Sequence, residues 1–374
     1  MAARSAADRG VINNSGRRVL IEIDPMRKNG LTRRNVLMEC LLLALGVIIF
    51  GGAIGVPVGA RSAEPGARGK TVSYLSFGLD FNYTSGVELE YQTAILEGIK
   101  KKVAEAGLVM QVFGCKGDPQ LQLTQILDAV TQKPDALLIN PLDAKLIVGG
   151  VKRLNETNIP IFIIDNPPSE GEFLGLVDFD NEAAGAIGAD GLAKLIGEKG
   201  VVLEAFGSVG SNQPQLRHKG FTERMRAKYP DIQVRLLNTE QVAENRDKRD
   251  DAHKILLQAL TQNPNIRGVF SDDDQIIPGV ESALRQIGKL VPVGQQSHVV
   301  IVSVNGTPGA LDRIRKGTQD ASVGKDPDGM AQIALDQVIA YFEGKPFDRK
   351  GQAKPILITE ENVDDPNLWG NSFR

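Results

Sequence analysis

Between residues 71 and 342, short apolar runs alternate with longer amphipathic ones, and this alternation restricts the fold more than any other feature of the chain. The runs of four to seven β-formers, at 71–77, 108–113, 136–139, 161–164, 201–206, 233–237, 268–271, 299–304 and 321–324, read as buried strands. Helical patterns separate them at 89–106, 119–132, 144–155, 181–196, 215–229, 248–261, 278–287, 308–316 and 330–342. In the first, Ile95, Ile99 and Val103 share one stripe, Lys100, Lys101 and Lys102 face water, and Gly107 stops the helix. Strands that are apolar throughout and always followed by a helix form parallel sheets covered on both faces. About ten such units exceed what one open sheet usually carries, so the expectation is an α/β protein of two doubly wound parallel-sheet lobes. No Pro/Ser-rich linker divides the chain. The chain is therefore expected to cross between lobes more than once.

The first sixty-odd residues do not follow this pattern. Cys40 to Val58 are 19 residues without a charge, preceded by Arg27, Lys28, Arg33 and Arg34 and followed by the small residues Gly59, Ala60, Ser62 and Ala63. Basic flank, apolar run and small-residue site are the order of an export signal, assigned to residues 1–63. Thr32-Arg33-Arg34-Asn35-Val36-Leu37-Met38 resembles the twin-arginine motif that exports folded proteins. The glycines and proline late in the run favour cleavage; an uncleaved inner-membrane anchor is the alternative. Removing the segment changes the net charge from −3 to −8. It also leaves Cys115 as the only cysteine, so no internal disulfide is expected.

Composition excludes several functions. Forty-three basic against 46 acidic residues argue against a nucleic-acid binder. His218, His253 and His298 fit no zinc spacing, and two cysteines make no four-cysteine site, so no metal is expected. Asp272-Asp273-Asp274 alone supplies too few ligands for an oxygen-rich site. Gly207-Ser208-Val209-Gly210 lacks the third glycine of a dinucleotide loop, and neither GxxxxGK[ST] nor GxSxG occurs. Cys115 has no identifiable base partner. With no nucleophile–base pair evident, neither catalysis nor a cofactor is expected.

Ligands of doubly wound sheets bind beyond the carboxyl ends of the strands. Those ends are polar here: Asn140-Pro141-Leu142-Asp143, Asp165-Asn166, Asp272-Asp273-Asp274 and Asn305-Gly306-Thr307-Pro308. Any single one reads as a helix cap, and Asp143, Asp274 and Thr307 are assigned to capping. Recurrence in both halves is what points to a site.

The ordered motifs are more specific. Leu138-Ile139-Asn140-Pro141-Leu142-Asp143, Ile159 to Asp165, Arg217-His218-Lys219-Gly220-Phe221, Asn263 to Asp274, Val304 to Pro308 and Tyr341 to Pro346 resemble, in order, the periplasmic sugar-binding proteins of the ribose-binding type. Ile358 to Pro366 resembles that family's closing strand and tail, with the sole tryptophan, Trp369, placed after it and outside the pocket. Related repressors carry a helix-turn-helix in front of the same core; an export signal stands there instead. The resemblance implies two lobes joined by a three-crossover hinge near Asp180, Lys325–Asp326 and Pro355, with the ligand in the cleft. It implies a first lobe of 70–180 plus 326–355 and a second of 181–325 plus 356–374.

The same resemblance implies the binding residues Asn82, Tyr91, Gln92, Asp165, Asn166, Arg217, Asp273, Asn305 and Lys325. Several depart from the family's pattern. Asn166 replaces an arginine, Asp273 and Asn305 look exchanged, Lys325 replaces a glutamine, and Tyr91-Gln92 falls where two stacking aromatics are usual. The loop from Gly78 to Glu90 is long, and Phe81 or Tyr83 offers another aromatic contact. Charges with few aromatics suit a polyol, sugar acid or modified monosaccharide. The implied function is a monomeric periplasmic receptor delivering that ligand to the membrane subunits of an ABC importer. The alternative is a sensory binding protein presenting the ligand to a membrane receptor or histidine kinase.

Overall fold

A computed structural model describes residues 66–78, 86–206, 212–238 and 248–373. The apolar segment Cys40–Val58 lies outside them. Among the described residues no helix is long and apolar enough to cross a membrane.

Twelve strands among the described residues form two six-stranded sheets. The first contains β1 (Thr71–Ser76), β2 (Val109–Gly114), β3 (Ala136–Ile139), β4 (Ile161–Ile164), β5 (Gly175–Phe179) and β11 (Lys350–Ala353). Its order is β11-β5-β4-β3-β1-β2, and every pairing is parallel. The second contains β6 (Gly200–Phe206), β7 (Ile232–Asn238), β8 (Ile266–Ser271), β9 (Val300–Asn305), β10 (Ala321–Gly324) and β12 (Ile356–Ile358). Its order is β12-β10-β9-β8-β6-β7, parallel except for β12. A parallel neighbour needs a long crossover. β12 is reached from β11 through Lys354–Pro355 alone, and it runs antiparallel.

The period-two alternation of the strands sends side chains to two cores per sheet. On one face of the first sheet, Tyr74, Leu138, Phe162 and Ile164 pack with Ile95, Ile99 and Val103 of α1 (Gly86–Ala106) and with Met330, Ala334, Leu335 and Val338 of α9 (Pro327–Phe342). On the other, Leu75, Leu137, Ile139 and Ile163 meet Ile126 of α2 (Pro119–Thr131) and Val151 and Leu154 of α3 (Val148–Asn155). α3 begins later than its apolar pattern suggests. Asp143 Oδ1 accepts the Lys145 and Leu146 N–H groups and holds the preceding segment as a turn.

In the second sheet, Val202, Phe270 and Val302 face α4 (Asn181–Ile196) and α5 (Gln213–Lys228). Phe221 stacks flat on Phe270, with centroids 4.1 Å apart. Leu203, Val269 and Ile301 face α6 (Lys248–Gln262) and α7 (Ile277–Gln286). Two glycines let α4 and α5 touch at the backbone. A Cβ on Gly185 would collide with the Arg217 carbonyl, and one on Gly220 with the Glu182 carbonyl.

The chain passes between the sheets three times: from β5 to α4 at Asp180, from β10 to α9 at Lys325–Asp326, and from β11 to β12 at Lys354–Pro355. Asp180 caps α4 through the Ala183 N–H, and Asp326 caps α9 through the Gly329 N–H. The Asp180 N–H donates to the Ala353 carbonyl at 3.2 Å, which lays the first and third crossings side by side.

Candidate ligand-binding cleft

The ends of β4, β5 and β10 bring one group of expected residues together. Asp165 follows β4 with a positive φ of 72°, a conformation that aspartate tolerates better than most side chains. Its Oδ1 accepts from the Tyr91 hydroxyl at 3.1 Å and from the Lys325 ammonium at 3.1 Å. Gln213 Nε2, from α5 of the other lobe, donates to the same oxygen at 3.4 Å. All three of these bonds fall on Oδ1 and none on Oδ2. Tyr91, Asp165 and Lys325 are all buried. The Lys325 ammonium also lies 4.2 Å from the Tyr91 ring centroid and 5.7 Å from that of Phe179. One face of the Tyr91 ring is thus covered by the protein's own cation.

Beside this group, Gln92 Oε1 accepts from the Ser76 hydroxyl at 3.1 Å and from Asn140 Nδ2 at 3.0 Å, at the ends of β1 and β3. Asn166 is turned to a local task, donating to the Pro141 carbonyl. Asp178, on β5, has a carboxyl pushed up to about 7. Burial is the main cause and the Asp165 charge adds to it, while the Phe179 N–H and the Lys325 charge act the other way.

The second lobe supplies the opposite wall. Arg217 is buried and donates Nε to Asn181 Oδ1 at 2.8 Å and Nη1 to the Asp272 carbonyl at 2.6 Å. Neither bond uses Nη2, the donor that the guanidinium has left to offer. Asp273 Oδ1 accepts from Asn305 Nδ2 at 3.1 Å, so the two exchanged positions bond to each other. Asn305 ends β9 with a φ of 126°, strain of the kind that gathers at ligand sites. Asn82, Phe81 and Tyr83 lie outside the described residues, as do Gly207–Gly210.

Three expectations are corrected. Asp143 does not cap α3, whose N-cap is Ile147, but bonds the turn before it. Asp274 is not a helix cap. It is buried under β9 and β10, where its carboxylate accepts from the Ser303 and Ser322 hydroxyls and from the Thr307 N–H, and Asp273 takes the capping role through the Gln275 N–H. Burial pushes the Asp274 carboxyl up, opposed by the Arg313 charge and these donors. Thr307 does cap its helix, α8 (Pro308–Arg315). Trp369 is not outside the site. The tail folds back so that its indole is buried, with Nε1 donating to the Asn305 carbonyl at 2.9 Å and the ring edge-on to Tyr91 at 5.6 Å.

Sequence reading also missed Asn181, Gln213, Phe179 and Asp178. The first turns of two helices and a strand without an apolar run gave them no distinguishing pattern. Cys115 is buried with its thiol pushed up to about 11 by burial, which keeps it protonated. Among the described residues no group of His, Cys, Asp or Glu is arranged to hold a metal ion.

Comparison with known proteins bears on this cleft. The chain is 25% identical over 268 residues to the ribose import binding protein of Escherichia coli (strain K12), covering 72% of this chain and 86% of that one. It is 24% identical over 326 residues to the xylitol-binding protein of Mycolicibacterium smegmatis, covering 86% of each. The solved structure of a periplasmic ribose ABC transporter from Conexibacter woesei superposes with a TM-score of 0.71 at 24% identity, covering 80% of this chain and 94% of that one. The model of the periplasmic binding protein domain matches residues 83–346. Two parallel-sheet lobes, three crossings between them, a polar cleft at the strand ends and that match together make this chain a member of the periplasmic binding protein domain family.

Proposed function

We propose that this protein is the exported solute receptor of an ABC importer, closing by its hinge on a small polyhydroxylated ligand and carrying it unaltered to the membrane subunits. The carrying observation is the meeting of Asp165, Lys325 and Tyr91 with Gln213 of the other lobe, opposite Arg217, Asp273 and Asn305. Vicinal hydroxyls donate and accept at once, so they suit walls offering both carboxylate oxygens and guanidinium or ammonium protons. The relatives' names run the same way, to ribose and xylitol.

The charges narrow the ligand class. Asp165 is matched by Lys325, while the second wall sets Arg217 beside the Asp272-Asp273 pair. Balanced or slightly acidic walls favour a neutral ligand over the sugar acid that the expected pocket residues left open. Occupation of the Tyr91 face by Lys325 favours a pentose-sized sugar or an open-chain polyol over a pyranose clamped between rings. Residues 1–63 serve as the export signal in this reading, and the lobes divide at the three crossings.

Native mass spectrometry tests the proposal on protein purified from the exporting cell without refolding. The expected result is a bound neutral species of monosaccharide or alditol mass that is absent from Arg217→Met. A bound nucleotide, peptide or lipid would overturn it.

A further inference from the structure

The chain has one tryptophan, and it stands on the C-terminal tail. The tail is bound tightly to the second lobe. Val363 and Leu368 are buried with Leu311 and Ile314 of α8. Arg315 donates to Asp364, to the Val363 carbonyl and to Asn371 Oδ1 at 2.7–2.9 Å. Asn371 Nδ2 donates to the carbonyls of Val363 and Asp365. A Cβ on Gly370 would lie 2.6 Å from the Gly306 carbonyl oxygen, so the tail backbone presses on the turn between β9 and α8. Trp369 is thus carried by the second lobe, where Nε1 holds the Asn305 carbonyl. Its ring meets Tyr91, which α1 of the first lobe carries.

We propose that Trp369 is a closure latch, its indole docking on the Tyr91 ring edge only while the lobes are shut. Opening the cleft separates two rings that are now each only 6% exposed and leaves both facing water. The latch also positions a binding residue. With its edge held by Trp369 and its face by Lys325, the Tyr91 ring keeps its hydroxyl on Asp165. Trp369 therefore acts on the ligand site through Tyr91 and need not touch the ligand. The inference rests on the hinged-receptor reading, and its test needs no ligand.

Small-angle X-ray scattering and tryptophan emission, recorded without added ligand on the exported protein and its variants, decide the matter. Trp369→Ala is expected to raise the radius of gyration while cooperative unfolding is retained. Trp369→Phe, which keeps the ring contact, is expected to stay near the wild-type value. Tyr91→Leu makes the same test from the first lobe: its radius rises and its Trp369 emission shifts to the red. Should Trp369→Ala fail to fold, Tyr91→Leu alone decides. An unchanged radius together with an unchanged emission in Tyr91→Leu would overturn the latch, whatever ligand the cleft takes.

Discussion

The Lys325 ammonium lies 3.1 Å from Asp165 Oδ1, with both side chains 5% exposed, and joins the second crossing between the lobes to the end of β4. The charges are 160 residues apart in sequence. Removing one partner of a buried pair strands the other, at a cost of about 3–5 kcal/mol. Lys325→Met is expected to lose stability in that range by urea unfolding. Adding Asp165→Asn, which tolerates the positive φ at this position, is expected to recover most of it. Additive losses in the double variant would show that the pair is not coupled.

Gly185 and Gly220 set how closely α4 approaches α5, and Arg217 sits on that contact. Gly185→Ala or Gly220→Ala is expected to destabilise by about 1–3 kcal/mol through overpacking. Both are also expected to weaken ligand binding by displacing the guanidinium. A variant that loses neither stability nor affinity would show that the helices have room to separate.

Asp178 and His298 give the protein two distinguishable pH dependences. The Asp178 carboxyl titrates near 7 when folded, against 3.8 ordinarily, so the folded state holds a proton that the unfolded chain has released. Its ionisation costs the folded state increasingly from pH ~4 up to pH ~7 and by a constant amount above. Asp178→Asn is therefore expected to gain in melting temperature over wild type across that window. A constant difference from pH 4 to pH 8 would contradict the assignment.

His298 works through a raised base. Burial alone would lower its imidazole, but the hydrogen bond and charge of Asp320, with the Val291 carbonyl, hold it above its ordinary value. The group's stabilising contribution is complete below the unfolded value of ~6.5 and fades as pH rises through the folded one. The stability advantage of wild type over His298→Gln is expected to shrink between pH 6 and pH 9 in urea titrations. An advantage that grows with pH would mean that the imidazole is neutral in the fold.

The alternation of strand and helix was legible because the central strands are short apolar runs separated by longer amphipathic helices. β5 and β11 were not. β5 opens on Gly175, whose missing side chain makes room for Gln337 and Phe162, and it carries Asp178. β11, Lys-Gly-Gln-Ala, is an edge strand with no apolar pattern. In the cleft, Asp165, Asp273 and Asn305 lie at polar strand ends that recur in both halves, whereas Arg217, inside α5, and Lys325 were marked only by the resemblance to the ribose-binding type. How these residues pair was not legible. Lys325 finds Asp165, Trp369 finds Tyr91, and Gln213 reaches across the cleft only through tertiary folding, which sequence spacing does not record.

Ligand capture is the central claim, and a thermal-shift panel of neutral pentoses, hexoses and alditols beside the matching sugar acids, run on wild type and Arg217→Met, tests it most directly. Saturation at a hundredfold excess over Kd is worth about 2.7 kcal/mol. A clear rise in melting temperature is therefore expected with at least one neutral polyhydroxylated compound, and its loss in Arg217→Met. Stabilisation by sugar acids alone, or by no member of the panel, would contradict the account.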